Sequence, residues 1–120
     1  MRARAVNPRK RGEMTKTEDL FGTQYFNSFN AHFQWIRYES HTLRFGELRY
    51  TPDFTAVRLP DGQVCHFEVK AAGHRHAYTD AAKIKLKTFS AYYGEYCFFL
   101  AWPDKTEPKG WHIEEVSNRE

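Results

Sequence analysis

The sequence predicts an α/β protein in which a mixed β-sheet is flanked by helices. Three observations lead to this prediction: a helical spacing of apolar residues near the start, aromatic residues alternating with polar ones between residues 32 and 71, and a second helical spacing after residue 79. The expected order is helix, strands, helix, strands. At 120 residues the chain is long enough for one hydrophobic core and short for two.

Charge is distributed unevenly along the chain. The net charge is +3, but residues 1–12 contain five basic residues and no acidic one, so residues 13–120 hold 13 basic against 15 acidic residues. We expect residues 1–12 to form a basic disordered tail, because little in them can be buried to offset the entropy of ordering. Such a tail is either a solvated extension or an arm that adds salt-dependent affinity for nucleic acid. Residues 13–120 are expected to form one domain.

The first helix is predicted from its capping residues and its apolar spacing. Thr15 or Thr17 can cap it, and Glu18 and Asp19 fall in the first turn, where acidic residues are favourable. The buried face is expected to consist of aromatic residues four positions apart: Phe21, Tyr25 and Phe29.

Strands are predicted for the segment that follows. Aromatic and β-branched residues alternate with polar ones over residues 32–38 and 42–45, which is typical of half-buried strands. A hairpin is predicted over residues 50–59 and 63–71. Its turn has Pro60 where a φ near −65° is required and Gly62 where a positive φ is favoured.

The second half of the chain predicts a helix and two strands. Thr79 can cap a helix that runs to about Tyr93, with apolar residues at helical spacing on one face. Residues 96–102 are almost continuously apolar, which is typical of a strand covered on both faces. A last strand is predicted over residues 111–116.

Neither a membrane segment nor a secretory signal is expected. No apolar run approaches the roughly 20 residues that a membrane span requires, and no apolar segment follows the basic start. Cys65 and Cys97 lack the spacing of metal ligands, so reduced, buried thiols in a cytoplasmic protein are expected.

Three polar side chains are predicted to share one face of the strand over residues 63–71. They are His66, Glu68 and Lys70, and the alternate residues of that strand are expected to form the core. At about 3.3 Å per residue, Glu68 and Lys70 would lie roughly 6.6 Å apart along the strand, so that both reach one phosphate and its attacking water.

The position of Asp53 depends on the register of the hairpin. If Leu59 lies opposite Gly62, Asp53 falls directly opposite Glu68, with the Cβ atoms roughly 5 Å apart. If Gly62 forms a bulge, Asp53 moves to the other face unless the strand bends near Pro52. The sequence leaves both alternatives open. Two adjacent carboxylates repel each other, and Mg²⁺ or Mn²⁺ would remove that cost while receiving the oxygen ligands that it prefers.

These residues carry a resemblance to a known family. Residues 50–54, Tyr-Thr-Pro-Asp-Phe, and residues 67–70, Phe-Glu-Val-Lys, resemble the two halves of the PD-(D/E)XK nuclease motif. Glu18 lies where this family often supplies a further carboxylate from its first helix. From Glu18 to about Trp102, the order of predicted elements is similar to the restriction-endonuclease-like core of the family.

The resemblance implies metal-dependent hydrolysis of phosphodiester bonds in DNA. Asp53, Glu68 and the main-chain carbonyl of Val69 would hold one Mg²⁺ or Mn²⁺ ion, and Glu18 with Asp53 would hold a second. Lys70 would orient the attacking water or help to deprotonate it. The implied catalytic residues are Glu18, Asp53, Glu68 and Lys70.

Further basic residues follow the motif and are expected to contact DNA. Lys83 and Lys87 share one helix face and would bind backbone phosphates, although a solvated surface is an equal alternative. The other expected contacts are His66 and the loop residues His74, Arg75 and His76.

Within the family, the amino-acid sequence of residues 50–54 and the small size of the chain most resemble those of phage-type junction-resolving endonucleases. Transposase endonuclease subunits of the TnsA type are the second resemblance. The first resemblance implies branched DNA as a partner, a homodimer, and the host cytoplasm if the protein is phage-encoded. A surplus of aromatic residues would supply the dimer interface or belong to the core: Phe33, Trp35, Tyr38 and Phe45. A non-catalytic DNA-binding or assembly module on the same fold is the remaining alternative.

Overall fold

A computed structural model describes residues 13–71 and 77–117, with residues 77–80 described by their backbone alone. The expected basic tail and the loop residues His74, Arg75 and His76 lie outside these ranges. Within them, none of the helices combines the length and the apolar character that crossing a membrane requires.

The elements follow the predicted order of helix, strands, helix and strands. The helical segments are α1 (Lys16–Leu20), a π-helical turn (Phe21–Phe26), α2 (Asn27–Phe29), a 3-10 turn (Asn30–His32) and α3 (Ala77–Tyr92). The strands are β1 (Phe33–Tyr38), β2 (Leu43–Phe45), β3 (Leu48–Tyr50), β4 (Phe54–Arg58), β5 (Val64–Val69), β6 (Cys97–Pro103) and β7 (Trp111–Glu115). Thr79 therefore lies inside α3 and not at its cap, because the helix begins two residues earlier.

Five strands form one mixed sheet, and the prediction of an α/β protein with a mixed sheet flanked by helices is confirmed. The strand order is β1-β4-β5-β6-β7, in which β5 and β6 are parallel and the other neighbours are antiparallel. Strands β2 and β3 form a separate two-stranded hairpin. Because β4 is antiparallel to β1 and β5, the start of β4 meets the ends of β1 and β5 at one edge of the sheet.

Both faces of the sheet are buried, and the prediction of a single core face on β5 is wrong. The first helical segment packs Phe21 and Phe26 on one face. On the other face, α3 packs Leu86 and Phe89. The alternation along β5 was predicted correctly, but it carries no information on whether a helix covers the second face.

His66 is buried on this second face of the sheet. Its side chain is 1% exposed, and its Nδ1 lies 2.8 Å from the hydroxyl of Thr55. The rings of Tyr96 and Phe98 lie against it. The prediction that His66 contacts DNA is therefore wrong, because the side chain does not reach the surface.

The first helix buries its aromatic residues at a different spacing from the one predicted. Phe21 and Phe26 are buried, whereas Tyr25 and Phe29 are only half-buried. In the π-helical turn the hydrogen bonds join residues five positions apart instead of four, so the buried face passes from Phe21 to Phe26. The prediction of burial every fourth residue was correct for Phe21 alone.

The two cysteines occupy opposing positions on the parallel strands β5 and β6 and are free thiols. Cys65 is buried, and burial raises the pKa of its thiol to about 12. Cys97 is only half-buried, so the prediction of buried thiols holds for Cys65 and not for Cys97.

Candidate metal and catalytic site

A cavity at the edge where β4 begins and β5 ends contains the side chains that the sequence singled out. Glu18, Asp53, Glu68 and Lys70 all line it, together with backbone and side-chain atoms of the neighbouring residues Thr15, Thr17, Val69 and Ala71. Glu18 comes from α1, Asp53 precedes β4, and Glu68 and Lys70 lie on and just after β5. Three separate segments of the chain therefore supply the four side chains.

The hairpin register brings Asp53 and Glu68 together. The β4–β5 pairs run from Val57 opposite Val64 to Phe54 opposite Phe67, so the same register carried one residue further places Asp53 opposite Glu68. This is the first of the two predicted alternatives. Asp53 is 8% exposed and Glu68 is 7% exposed.

The carboxylate of Asp53 is fixed by the backbone of the facing strand. Its Oδ2 accepts a hydrogen bond of 2.8 Å from the backbone N–H of Val69. Burial, followed by the negative charge of Glu68, raises the pKa of Asp53 to about 9, and a hydrogen bond with Glu18 acts in the same direction. The burial and the neighbouring charge therefore favour the protonated form of Asp53, and a bound cation would offset that charge and favour the carboxylate.

Glu18 is held in the site by the start of its own helix. Its Oε1 accepts hydrogen bonds from the backbone N–H of Thr15, at 2.9 Å, and from the hydroxyl of Tyr38, at 2.7 Å. The Thr15 hydroxyl in turn accepts a hydrogen bond from the Glu18 N–H, which completes a capping box. Thr15 was one of the two predicted capping residues. Because Thr15 is the cap, its N–H holds the carboxylate of Glu18 in the site.

Lys70 lies beside Glu68, as the alternation along β5 predicted. The distance from Lys70 Nζ to Glu68 Oε2 is 3.3 Å, and the lysine side chain remains 30% exposed. The ammonium group therefore neutralises one carboxylate of the site while it still reaches solvent.

Two tyrosines support the site, and neither was predicted to do so. Tyr50, which is 4% exposed, donates a hydrogen bond of 2.8 Å to Oε1 of Glu68. Tyr38 does the same for Glu18 from the end of β1. Tyr50 is part of the motif over residues 50–54, so its closeness to Asp53 in the sequence could have indicated this role. Tyr38 was visible only as an aromatic residue of a strand.

The three carboxylates line one cavity but do not converge on one point. Within the described residues, the group of three metal-ligating side chains whose ligand atoms all lie within 4.8 Å of one another is a different one: Asp104, Glu107 and His112, which lie half-buried around the β6–β7 connection. This group was not predicted from the sequence, because its members are spread over nine residues of a turn and a strand. Glu107 lies 3.7 Å from His112 Nδ1.

The two lysines of α3 that were predicted to contact DNA, Lys83 and Lys87, have different surroundings. Lys83 Nζ forms an ion pair with Glu114 at 3.0 Å. Lys87 is exposed and lines a shallow groove with Phe45 and Ile84. A third lysine of α3, Lys85, has its Nζ 4.8 Å from the ring centre of Tyr50.

These observations define the class of protein: an α/β protein with a mixed five-stranded sheet and a buried cluster of carboxylates and one lysine at the sheet edge. Comparison of the chain with protein-family models, curated proteins and solved structures found no significant match. The assignment of a function therefore rests on the residues themselves and on their geometry.

Proposed function

We propose that this protein is a divalent-metal-dependent endonuclease of the PD-(D/E)XK type that hydrolyses phosphodiester bonds in DNA. The observation that supports this proposal most is the register of the β4–β5 hairpin, since it brings Asp53 of the first half-motif opposite Glu68 of the second. Lys70 and Glu18 line the same cavity. A preference for branched DNA is part of the proposal and rests on the resemblance of residues 50–54 to junction-resolving endonucleases.

The donor set suits a hard divalent cation. Asp53, Glu68 and Glu18 offer carboxylate oxygens, and Val69 offers its main-chain carbonyl, which are the ligands that Mg²⁺ and Mn²⁺ prefer. Lys70 is one cation beside three carboxyl groups, so a divalent cation would offset the negative charge that remains. When bound, the metal would activate a water molecule and stabilise the charge on the leaving oxygen.

The residues of the chain have separate tasks in this proposal. Glu68 is held from both sides, by Tyr50 at one oxygen and by Lys70 at the other. The Val69 N–H holds Asp53 in the orientation that faces Glu68. Lys70 would hydrogen-bond the attacking water or a phosphate oxygen and offset the negative charge that develops on the phosphate.

A cleavage assay tests the proposal directly. Purified protein is incubated with a labelled four-way junction, a nicked duplex and a linear duplex, each with Mg²⁺, Mn²⁺ or EDTA. We expect metal-dependent cleavage by the wild type and none by Asp53→Ala or Lys70→Ala. Asp61→Asn is the matched control, because it removes an exposed carboxylate at the opposite end of β4 and should leave cleavage unchanged.

The same assay separates the alternatives. Equal cleavage by the wild type and both site variants would point to a contaminating nuclease and contradict the proposal. Binding of the junction without cleavage under every metal condition would favour a non-catalytic DNA-binding module. Equal cleavage of junction and linear duplex would contradict the preference for branched DNA while leaving the nuclease assignment intact.

A further inference from the structure

The outward face of the β2–β3 hairpin, defined by Arg44 and Arg49, has no role in the site described above. We propose that these two arginines bind the backbone phosphates of the nucleic acid that enters the candidate site. This inference rests on the proposed function, because it assigns a second contact to the same substrate. The occupant is a nucleic-acid backbone and not an acidic protein, since the hairpin joins the chain directly before the candidate site.

The two arginines face each other across the hairpin. Arg44 is the direct cross-strand partner of Arg49, and both side chains are exposed. Directly opposed residues of an antiparallel pair have Cβ atoms about 5 Å apart, where like charges repel. Within the described residues, neither guanidinium has an ion-pair or hydrogen-bond partner, whereas Arg58 pairs with Asp61 and Lys83 pairs with Glu114. An unfavourable pair of this kind becomes favourable when an anion binds between the two charges.

The hairpin is anchored so that this face points away from the core. Its other face buries Leu43 and Tyr50 against α3. The hydroxyl of Tyr93 accepts a hydrogen bond from the Arg44 N–H at 3.2 Å and donates one to the Arg44 carbonyl at 2.7 Å. The two guanidinium groups therefore project from a backbone that is fixed to α3, so little ordering of the backbone is needed on binding.

The hairpin lies next to the candidate site. Arg49 is followed by Tyr50, whose hydroxyl contacts Glu68. Asp53 lies four positions after Arg49, so their Cα atoms are at most about 14 Å apart. Each strand of a duplex rises about 3.4 Å per nucleotide, so a backbone in the site would pass the hairpin within about four nucleotides. Guanidinium groups match phosphate oxygens with two parallel hydrogen bonds, which favours arginine for this task.

The salt dependence of binding tests the proposal. In EDTA, which prevents metal-dependent cleavage, the affinity for a labelled four-way junction and for a linear duplex is measured between about 50 and 200 mM salt. For the double variant Arg44→Gln with Arg49→Gln, we expect the slope of log K against log salt concentration to fall by about two. Arg44→Lys with Arg49→Lys keeps both charges and should keep most of the slope. Arg58→Gln, at the far end of β4, should leave the slope unchanged.

Stability provides an independent readout. If the arginines serve binding and not folding, the double Gln variant should melt at the same temperature as the wild type or higher, because a like-charge pair has been removed. A lower melting temperature would assign the pair a structural role and overturn the inference. An excess of inorganic phosphate should compete weakly with DNA, since it offers one phosphate where the backbone offers several.

The failure of this inference is distinguishable from the failure of the proposed function. Equal salt slopes for the wild type and the double Gln variant, with cleavage by the wild type intact, would overturn the inference alone. No binding of DNA by the wild type under any condition, with tight binding of an acidic protein to the arginine face, would overturn both.

Discussion

The hydroxyl group of Tyr50 donates a 2.8 Å hydrogen bond to Oε1 of Glu68, and both side chains are buried. Tyr50 ends the small β2–β3 hairpin, whereas Glu68 lies on a central strand of the large sheet. Burial, and after it the charge of Glu68, raises the pKa of Tyr50 well above its usual value. The hydroxyl is therefore a permanent donor, and it connects the small hairpin with the candidate site.

Tyr50→Phe should weaken both folding and metal binding. The change leaves a buried carboxylate oxygen without its donor, which costs about 1–3 kcal/mol of unfolding free energy. Loss of the group that orients a metal ligand should weaken Mg²⁺ affinity about 10- to 100-fold. Urea unfolding in EDTA measures the first effect, and calorimetric titration with Mg²⁺ measures the second.

Tyr93→Phe is the matched control for this prediction. It removes a tyrosine hydroxyl that bonds the backbone of the β2–β3 hairpin and has no contact with the carboxylates. A comparable loss of stability with unchanged Mg²⁺ affinity is expected. If Tyr50→Phe bound Mg²⁺ as tightly as the wild type, Tyr50 would have a structural role only.

Asp53→Asn should weaken the dependence of stability on pH and on metal. In EDTA, the pKa of Asp53 rises from an ordinary value of 3.8 to about 9 on folding, so the folded chain holds a proton that the unfolded chain releases. This contribution to stability is complete below pH 3.8 and is lost as the pH rises towards 9. The variant lacks the titrating group but keeps an oxygen for the Val69 N–H, so it should lose less stability over this range.

Excess Mg²⁺ should stabilise the wild type more than Asp53→Asn. The wild type should gain about 2.7 kcal/mol of stability when the metal concentration is one hundred times its dissociation constant, and Asp53→Asn should gain little. Melting curves at about pH 5 and about pH 8, with EDTA or Mg²⁺, measure both effects. A wild type that melts at one temperature with and without metal would contradict the metal site.

His66→Gln should flatten the acid side of the stability profile. Burial, and after it the charge of His41, lowers the pKa of His66 from 6.5 to about 4, so the folded chain keeps this ring neutral while the unfolded chain takes up a proton. The wild type should therefore lose stability as the pH falls from 6.5 to 4, by up to about 3 kcal/mol from this residue. The difference between variant and wild type, measured by urea unfolding across this range, isolates the contribution. Cleavage at neutral pH should persist, because His66 does not reach the substrate.

Thr15→Ala should destabilise α1 and displace Glu18. The change removes the acceptor of the Glu18 N–H and half of the capping box, at a cost of about 1 kcal/mol. Thr23→Ala is the control, because the Thr23 hydroxyl donates to the carbonyls of Asp19 and Leu20 on an exposed surface of the helix. We expect Thr15→Ala to slow metal-dependent cleavage and Thr23→Ala to leave the rate unchanged. Equal rates for both variants would show that the position of Glu18 does not depend on the cap.

The strand alternation was predictable from the sequence, but the hairpin register was not. Alternation depends on local geometry, so it placed Glu68 beside Lys70 without knowledge of the rest of the chain. The register depends on how the turn is hydrogen-bonded. In the structure the Arg58 N–H bonds the Gln63 carbonyl and the Gly62 N–H bonds the Arg58 carbonyl. A positive φ of 71° at Gly62 is compatible with either register, so the sequence left both open.

Contacts between distant segments determine the burial of His66. They also determine which aromatic residues of the first helical segment are buried. His66 is covered by the rings of His41, Tyr96 and Phe98, which lie outside β5, and no property of β5 alone predicts those contacts. The π-helical turn similarly follows from the need to bury Phe21 and Phe26 against Phe54 and Phe67. Pro52 explains a third difference, since it lacks an N–H and separates β3 from β4 within the segment predicted as one strand.

Glu18 belongs both to the capping box of α1 and to the candidate site. Glu18 Oε1 accepts hydrogen bonds from both the Thr15 N–H and the Tyr38 hydroxyl. The same side chain is hydrogen-bonded to Asp53. If a ligand draws Glu18 towards Asp53, the Thr15 amide loses its acceptor and exchanges its hydrogen with solvent faster. Exchange at this single amide thus reports, without any substrate, whether the candidate site is occupied.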